Sequence, residues 1–381
     1  MSAQQGSLRL ANQTTIIEQL LERTTASRAD LAKATGMSKP TTGKIIDDLA
    51  RAGVVEELKL ASGGKGTVGR PGKQVRLMVS RPRFIVIELG VEWTKMAALS
   101  PMPPETEEWG AIFETPNDGA TWVERVRVGA AALGLKRPLA VLVSASGVVD
   151  EEAGRVLLSP NLHWTENADL QQLLRQVWSA PIGLVQENRA LALGEWGAAN
   201  SQEDFLLVDI GEGMGGALML GGRPFIGALP LSAEIGHTRL PGNLRDCGCG
   251  ARGCVETLAS EKGLVRSLRE AEGQNGSSSI ADVMYAASNE VPAWMATTLD
   301  AAGAAIGAAL NTFGVRNVVL VGRVTELLPR PAAEYISTAI QRSTMWSRFQ
   351  PASIRFAPRR RARGLVLAGL QRFVMPVDWA R

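Results

Sequence analysis

The sequence predicts an α/β protein that carries a winged helix-turn-helix at its N-terminus. Three observations carry that reading. Residues 1–82 run helix, short helix, glycine turn, helix, basic hairpin. From Arg83 onward, strands alternate with helices in two similar runs. All three cysteines lie in one window of the second run, beside one of the only two histidines.

Bulk composition sets the frame. The chain has 381 residues, 45% hydrophobic and 21% charged, the profile of a soluble globular protein with room for two or three domains. No apolar run reaches membrane-spanning length, and the first residues lack the apolar core of a signal peptide. Clustered thiols without partners elsewhere point to a reducing, cytoplasmic setting. The net charge of +3 is unevenly spread. Residues 1–82 hold 13 Lys and Arg against 7 Asp and Glu, so a basic head sits on a slightly acidic body. That asymmetry predicts a polyanionic partner for the head, namely double-stranded DNA.

In the head, Ile16, Ile17, Leu20 and Leu21 recur at helical spacing and fade near Thr24. Ser27 is a suitable N-cap for a short second helix, and Gly36 supplies the left-handed residue after it. Ser38 caps a third helix, with Pro40 in its first turn and Ile45, Ile46 and Leu49 on one face. In this plan the early positions of the third helix face the major groove: Ser38, Lys39, Thr41, Thr42 and Lys44. Gly53-Val54-Val55 begins a strand and residues 75–79 return antiparallel to it. The glycine-rich basic stretch between them reads as a wing, with Arg70 and Lys73 placed to meet DNA and Gly69-Arg70-Pro71 shaped for a minor groove.

The body opens on a buried strand, Phe84–Leu89, with a return at 96–99, a helix at 122–133 and an apolar strand at 139–143. A helix at 168–177, a strand at 182–185 and an alanine-rich helix at 190–199 follow. The second run starts at residues 205–210, turns through Gly211-Glu212-Gly213, and returns at 217–220 into a Gly221-Gly222 hairpin. Helices at 280–287 and 294–311, strands at 318–321 and 354–356, and a last helix at 364–373 complete it. Two halves of one plan indicate an ancient duplication. The arginine run 359–363 reads as a solvated loop, and the tryptophans, Trp122, Trp164, Trp178 and Trp196 among them, as core.

His237, Cys247, Cys249 and Cys254 make a full tetrahedral set for zinc within eighteen residues. Intervening glycines let the backbone turn tightly enough for the thiolates to converge. Four protein ligands leave no open coordination position, so such a zinc is structural and no catalytic residue is assigned. His163, the other histidine, reads as a half-buried packing residue.

Glu234-Ile235-Gly236-His237 followed by Cys-x-Cys-Gly-x-x-Gly-Cys-x-Glu, with the winged head and the glycine-rich strand end, resembles the ROK family of repressors and sugar kinases. The likeness runs from about Asn12 to Ala368, and the head is similar to that of the family's regulators. It implies an actin/hexokinase-like fold of two α/β lobes: residues 83–202, closed by a C-terminal helix at 364–381, and residues 203–363 with the zinc loop. It also implies a sugar or sugar-derivative effector, held by Asn161, Glu187, Asn188, Glu234, His237 and Glu256. Carboxylates, an amide and an imidazole suit hydroxyls that both donate and accept.

Four positions depart from the family's kinases. Arg189 follows Glu187-Asn188 where the resemblance implies an aspartate as general base, and a guanidinium cannot accept a proton. The two phosphate loops read Glu88-Leu89-Gly90-Val91-Glu92-Trp93 and Gly211-Glu212-Gly213, with carboxylates that repel polyphosphate. The late glycine pair reads Gly322-Arg323. The expectation is therefore a sugar-responsive transcriptional repressor whose kinase-like cleft senses ligand, with Arg189 either filling the cleft or recruiting an anionic sugar. A two-fold operator implies a homodimer or homotetramer. The alternatives are a sugar kinase with a DNA-binding head, or a regulator that binds no sugar.

Overall fold

The computed structural model describes residues 3–58, 73–199, 203–227, 233–273 and 278–375. Arg70, Gly69-Arg70-Pro71 and most of the expected wing tip lie outside them. The chain forms two compact units: residues 1–186, 197–200 and 360–381, and residues 187–196 and 201–359.

In the first unit the head is built from α1 (Ala3–Arg23), β1 (Ala26–Ser27), α2 (Arg28–Thr35), α3 (Lys39–Ala52), β2 (Val55–Leu58) and β3 (Gln74–Leu77). Local chemistry explains each boundary. Ser27 and Asp30 form a reciprocal capping box at α2, and Gly36 ends it with φ 68°. Ser38 caps α3 by accepting from the Thr41 amide. Ile16, Ile17, Leu20, Leu31, Ile46 and Leu49 are at most 1% exposed and form the head's apolar centre. β2 and β3 pair antiparallel as the stem of the wing, with β1 on the other side of β3. The head is tied to the sheet that follows. The Met102 amide donates to the Met78 carbonyl at 3.0 Å. From α1, the Gln13 amide donates to the Val374 carbonyl at 3.2 Å.

That sheet contains β4 (Phe84–Leu89), β5 (Trp93–Leu99), β6 (Ala111–Glu114), β7 (Ala140–Ala145) and, after a small hairpin of β8 (Val148–Asp150) and β9 (Arg155–Leu158), β10 (Ile182–Gln186). Its order is β10-β7-β4-β5-β6, with β4, β7 and β10 parallel and β5 and β6 antiparallel. Helices α4 (Gly119–Leu133) and α5 (Leu170–Arg175) cover one face. Ile85, Ile87, Leu89, Trp122, Val126, Val141 and Val143 form its core. Burying each such aliphatic side chain contributes roughly 1.5–3 kcal/mol. The C-terminal helix Arg361–Gly369 packs on β4 and β7, with Gly369 against Leu142 and Phe84.

The second unit holds most of α6 (Glu187–Ala199), then β11 (Phe205–Ile210), β12 (Met214–Leu220), β13 (Arg223–Pro224), α7 (Glu256–Ala259), α8 (Glu261–Glu272), α9 (Ile280–Ala286), α10 (Ala293–Phe313), β14 (Asn317–Val321), α11 (Arg323–Leu327), α12 (Arg330–Ser343) and β15 (Ser353–Phe356). Its sheet order is β13-β12-β11-β14-β15, the same plan as the first: one strand, two antiparallel returns on one side, two parallel strands on the other. Both faces are apolar. Leu206, Val208 and Ile210 join the core with α10 and α12, while Phe205 and Leu207 face Leu191 and Ala192 of α6. By length and composition α10 could cross a membrane. Met295, Leu299, Ala302, Ile306 and Leu310 instead bury one side of it in this core.

Several expectations need correction. The run 359–363 is not a solvated loop. Arg361 and Arg363 are only 5% and 7% exposed, Arg361 pairs with Glu88 at 2.6 Å, and Arg363 donates to the Gly197 carbonyl. Arg359 pairs with Asp209 at 2.8 Å. Charge composition alone cannot tell a solvated run from one whose partners arrive from distant strands. His163 is exposed, 3.3 Å from Glu166, rather than half-buried. The helix expected at 168–177 shrinks to Leu170–Arg175 behind a 3-10 turn at His163–Asn167. Helices α8 and α12 were missed, although Leu264 and Leu268 in one and Ala332, Ile336 and Ile340 in the other carry helical spacing.

Candidate functional site

Two regions carry function-bearing chemistry: the start of α3 in the head, and the turns around β12 in the second unit.

At the start of α3, Ser38, Lys39, Thr41 and Lys44 are exposed. Thr42, expected to face DNA, is 0% exposed, and its hydroxyl donates to the Ser38 carbonyl at 3.1 Å. It sits on the same side of the helix as Ile45, Ile46 and Leu49, three, four and seven residues on. It is therefore a packing residue and is removed from the recognition surface. Lys73 is exposed, and its ammonium lies 2.7 Å from Glu57.

In the second unit, Met214 at the start of β12 is the meeting point. Its amide donates to Glu256 Oε2 at 2.9 Å. Its carbonyl lies where a side chain on Gly236 would sit, so only glycine lets the 3-10 turn Ile235–His237 close on β12. One residue on, Gly215 leaves room for the buried Asn188 amide. Asn188, Gly236 and Glu256, far apart in sequence, thus converge on two residues of one strand. Ala233, just before this turn, holds the left-handed φ of 55° that a side chain disfavours. Such strain persists only where the surroundings over-determine it.

His237, Cys247, Cys249 and Cys254 offer ligand atoms that all lie within 4.8 Å of one another. Cys249 Sγ is 3.8 Å from Cys254 Sγ, and Cys247 Sγ is 3.6 Å from His237 Nδ1. A tetrahedral zinc with bonds of about 2.3 Å to sulfur and 2.0 Å to nitrogen requires separations of about 3.8 and 3.5 Å, so the set fits. Nδ1 faces the thiols, while Nε2 lies 3.9 Å from Glu234 Oε2 on the other side of the ring. Burial pushes the Cys247 thiol up to about 12 and raises Cys254 as well, while at Cys249 burial is outweighed by hydrogen bonds from the Ala251 amide and the other two thiols, which lower it. A bound cation would have to displace those protons, so its affinity rises with pH.

Arg245 and Asn243, which sequence reasoning passed over, hold this loop in place. The Arg245 guanidinium donates to the carbonyls of Thr257 and Gly263 and to Ser267, and pairs with Glu270 at 2.6 Å. The Asn243 amide donates to the Cys254 carbonyl. An arginine within the cysteine window was the available signal, but its partners on α8 were not legible.

Arg189 is buried on α6 directly after Asn188, and Glu187 is half-buried at the start of that helix. Glu234 is 38% exposed beside His237. Asn161 lies in the first unit, exposed, on the turn after β9. On the β11–β12 turn, Glu212 is exposed. Arg359, held by Asp209, reaches over Gly211.

A winged-helix head, two sheets of one topology and a His/Cys3 loop beside a glycine turn define a regulator-type architecture on a kinase-like body. Residues 130–359 match the ROK family, and the chain belongs to that family. The xylose repressor of Caldicellulosiruptor bescii is 28% identical over 275 residues, covering 69% of this chain and 67% of the repressor. A glucokinase of Streptomyces coelicolor is 31% identical over 179 residues, 45% of this chain and 52% of the kinase. Among solved structures, a ROK family transcriptional regulator homologous to the Escherichia coli MLC protein superposes with TM-score 0.77 at 20% identity. That likeness covers 97% of this chain and 98% of the other.

Proposed function

We propose that this protein is a sugar-responsive DNA-binding transcriptional repressor of carbohydrate uptake or catabolism genes. The observation that carries the reading is the exposed polar and basic start of α3, presented by a capped helix-turn-helix with a wing stem, in a chain of the ROK family. Repressor relatives support the same reading, and xylose, named in one of them, is the first effector to test. The protein acts in the cytoplasm as a homodimer or homotetramer on a two-fold operator.

The His237, Cys247, Cys249, Cys254 cluster holds a structural zinc. That zinc orients His237 so that its other nitrogen, with Glu234 and Glu256, meets sugar hydroxyls. Glu187, Asn188 and Arg189, of the same unit, complete the ligand set. Arg189 in place of a carboxylate base, and acids on both glycine turns, support sensing without phosphoryl transfer.

Calorimetry with xylose, glucose and their phosphates, followed by operator binding in the presence of whichever binds, tests this reading. Heat with one sugar and a fall in DNA affinity on its addition is the expected outcome. The glucokinase relative keeps a second reading open, a kinase with a DNA-binding head. Release of ADP at an ordinary kinase rate on any of these sugars would favour it.

A further inference from the structure

Arg28 is the first residue of α2, directly after the cap Ser27, whose backbone pairs with Gln74 of β3. Its side chain reaches two other elements. Nη2 meets Asp47 of α3 at 2.5 Å, and Nη1 donates to the Gly43 carbonyl of the same helix at 3.4 Å. Nε donates to Glu57 of the wing stem at 2.9 Å, with Nη2 at 2.7 Å from the same oxygen. The other Glu57 oxygen holds Lys73, directly before β3, at 2.7 Å. Gly43 and Asp47 are one turn apart on the helical stripe that begins at Lys39. One planar guanidinium therefore grips the recognition helix, along the stripe that begins at Lys39, and the root of the wing together.

A surface ion pair contributes little by itself. This one differs in joining three elements through a rigid fork, which lysine cannot reproduce. The side chain is 35% exposed and is committed to carboxylates, so it is poorly placed to contact phosphate itself.

Resting on the proposed DNA-binding function, we propose that Arg28 is a positioning residue for operator reading. It sets the angle between α3 and the wing, so that the base-reading residues and the wing engage one duplex together. Loss of Arg28 lowers discrimination between sequences and leaves the number of phosphate contacts unchanged.

The test uses the full chain to select a duplex from a random library. Affinity is then measured for the selected and a scrambled duplex across a salt series. Arg28→Ala and Arg28→Lys are each expected to lose about tenfold on the selected duplex and under about threefold on the scrambled one, with the same salt slope. A double variant, Asp47→Asn with Glu57→Gln, frees Arg28 without removing it and is expected to lower the ratio of selected to scrambled affinity likewise. It also serves should Arg28→Ala fail to fold. A salt slope shallower by about one in Arg28→Ala would identify Arg28 as a phosphate contact and overturn the role, and a double variant that keeps the parent's ratio of selected to scrambled affinity would overturn it as well. Full rescue by Arg28→Lys would overturn it too. Failure to enrich any duplex would overturn the DNA-binding reading itself, a result distinct from enrichment with unaffected variants.

Discussion

Replacing Glu107 by glutamine should remove a pH dependence of stability that the first unit carries. Glu107 accepts a hydrogen bond from the Ala362 amide at 2.6 Å, at the start of the C-terminal helix. Burial pushes its carboxyl from an ordinary 4.5 to about 7; the Ala362 N–H opposes this, nearby Glu88 adds to it, and Arg361 and Lys95 reduce it. The sign follows from proton linkage. The folded state keeps this proton to a higher pH than the unfolded chain does. Stability therefore falls as pH rises from about 4.5 to about 7, then levels off. At 1.36 kcal/mol per pH unit of difference, the loss over this interval is about 3 kcal/mol. Glutamine keeps the acceptor for Ala362 and cannot ionise, so Glu107→Gln should gain that stability above pH 7 and match the parent near pH 4.5. Denaturant unfolding of parent and variant between pH 4.5 and 8.5 measures the difference. A difference that stays constant across this range would refute the reasoning, as would a carboxyl titrating near 4.5 by 13C NMR.

Other outcomes follow from the same geometry. Cys249→Ser opens a set that fits a tetrahedral cation, so metal content by mass spectrometry should fall from about one per chain to near zero. Effector-driven DNA release should be lost with it, and release that persisted without metal would break the proposed coupling. Lys39→Ala should reduce the salt slope of DNA binding by about one. Thr42→Ala should leave that slope unchanged and lower stability by about 1 kcal/mol, because it deletes a buried hydrogen bond. Arg361→Met removes the guanidinium 2.6 Å from the buried Glu88 carboxylate, leaves Lys95 at 3.5 Å, and should cost about 3 kcal/mol by denaturant unfolding. Adding Glu88→Gln should recover most of that loss, and a double variant as unstable as the single would argue against the pair.

The helix-turn-helix was legible because its signals are local. Ser27, Gly36 and Ser38 act on backbone groups within three or four residues, and the structure places each cap where the sequence does. The zinc-type cluster was legible because chance does not gather every thiol of the chain into one window. The strands that open each half, Phe84–Leu89 and Phe205–Ile210, were legible as continuous apolar runs buried on both faces. Thr42 was misread because a helical wheel allows both sides at that position, and packing against the rest of the head chose the inward one.

The sequence by itself determined most of the elements, their order, the family and the residue types of the candidate site. These depend on local backbone preferences and on motif spacing, which are written along the chain. Tertiary structure alone decided which distant groups meet. It put Arg361 on Glu88 and Arg359 on Asp209, brought Asn188 and Glu256 to adjacent residues of β12, and joined Arg28 to Asp47 and Glu57. Charges and amides carry no address in sequence. Their partners are chosen by sheet order and helix packing, and the cost of burying an unpaired charge then makes those choices binding.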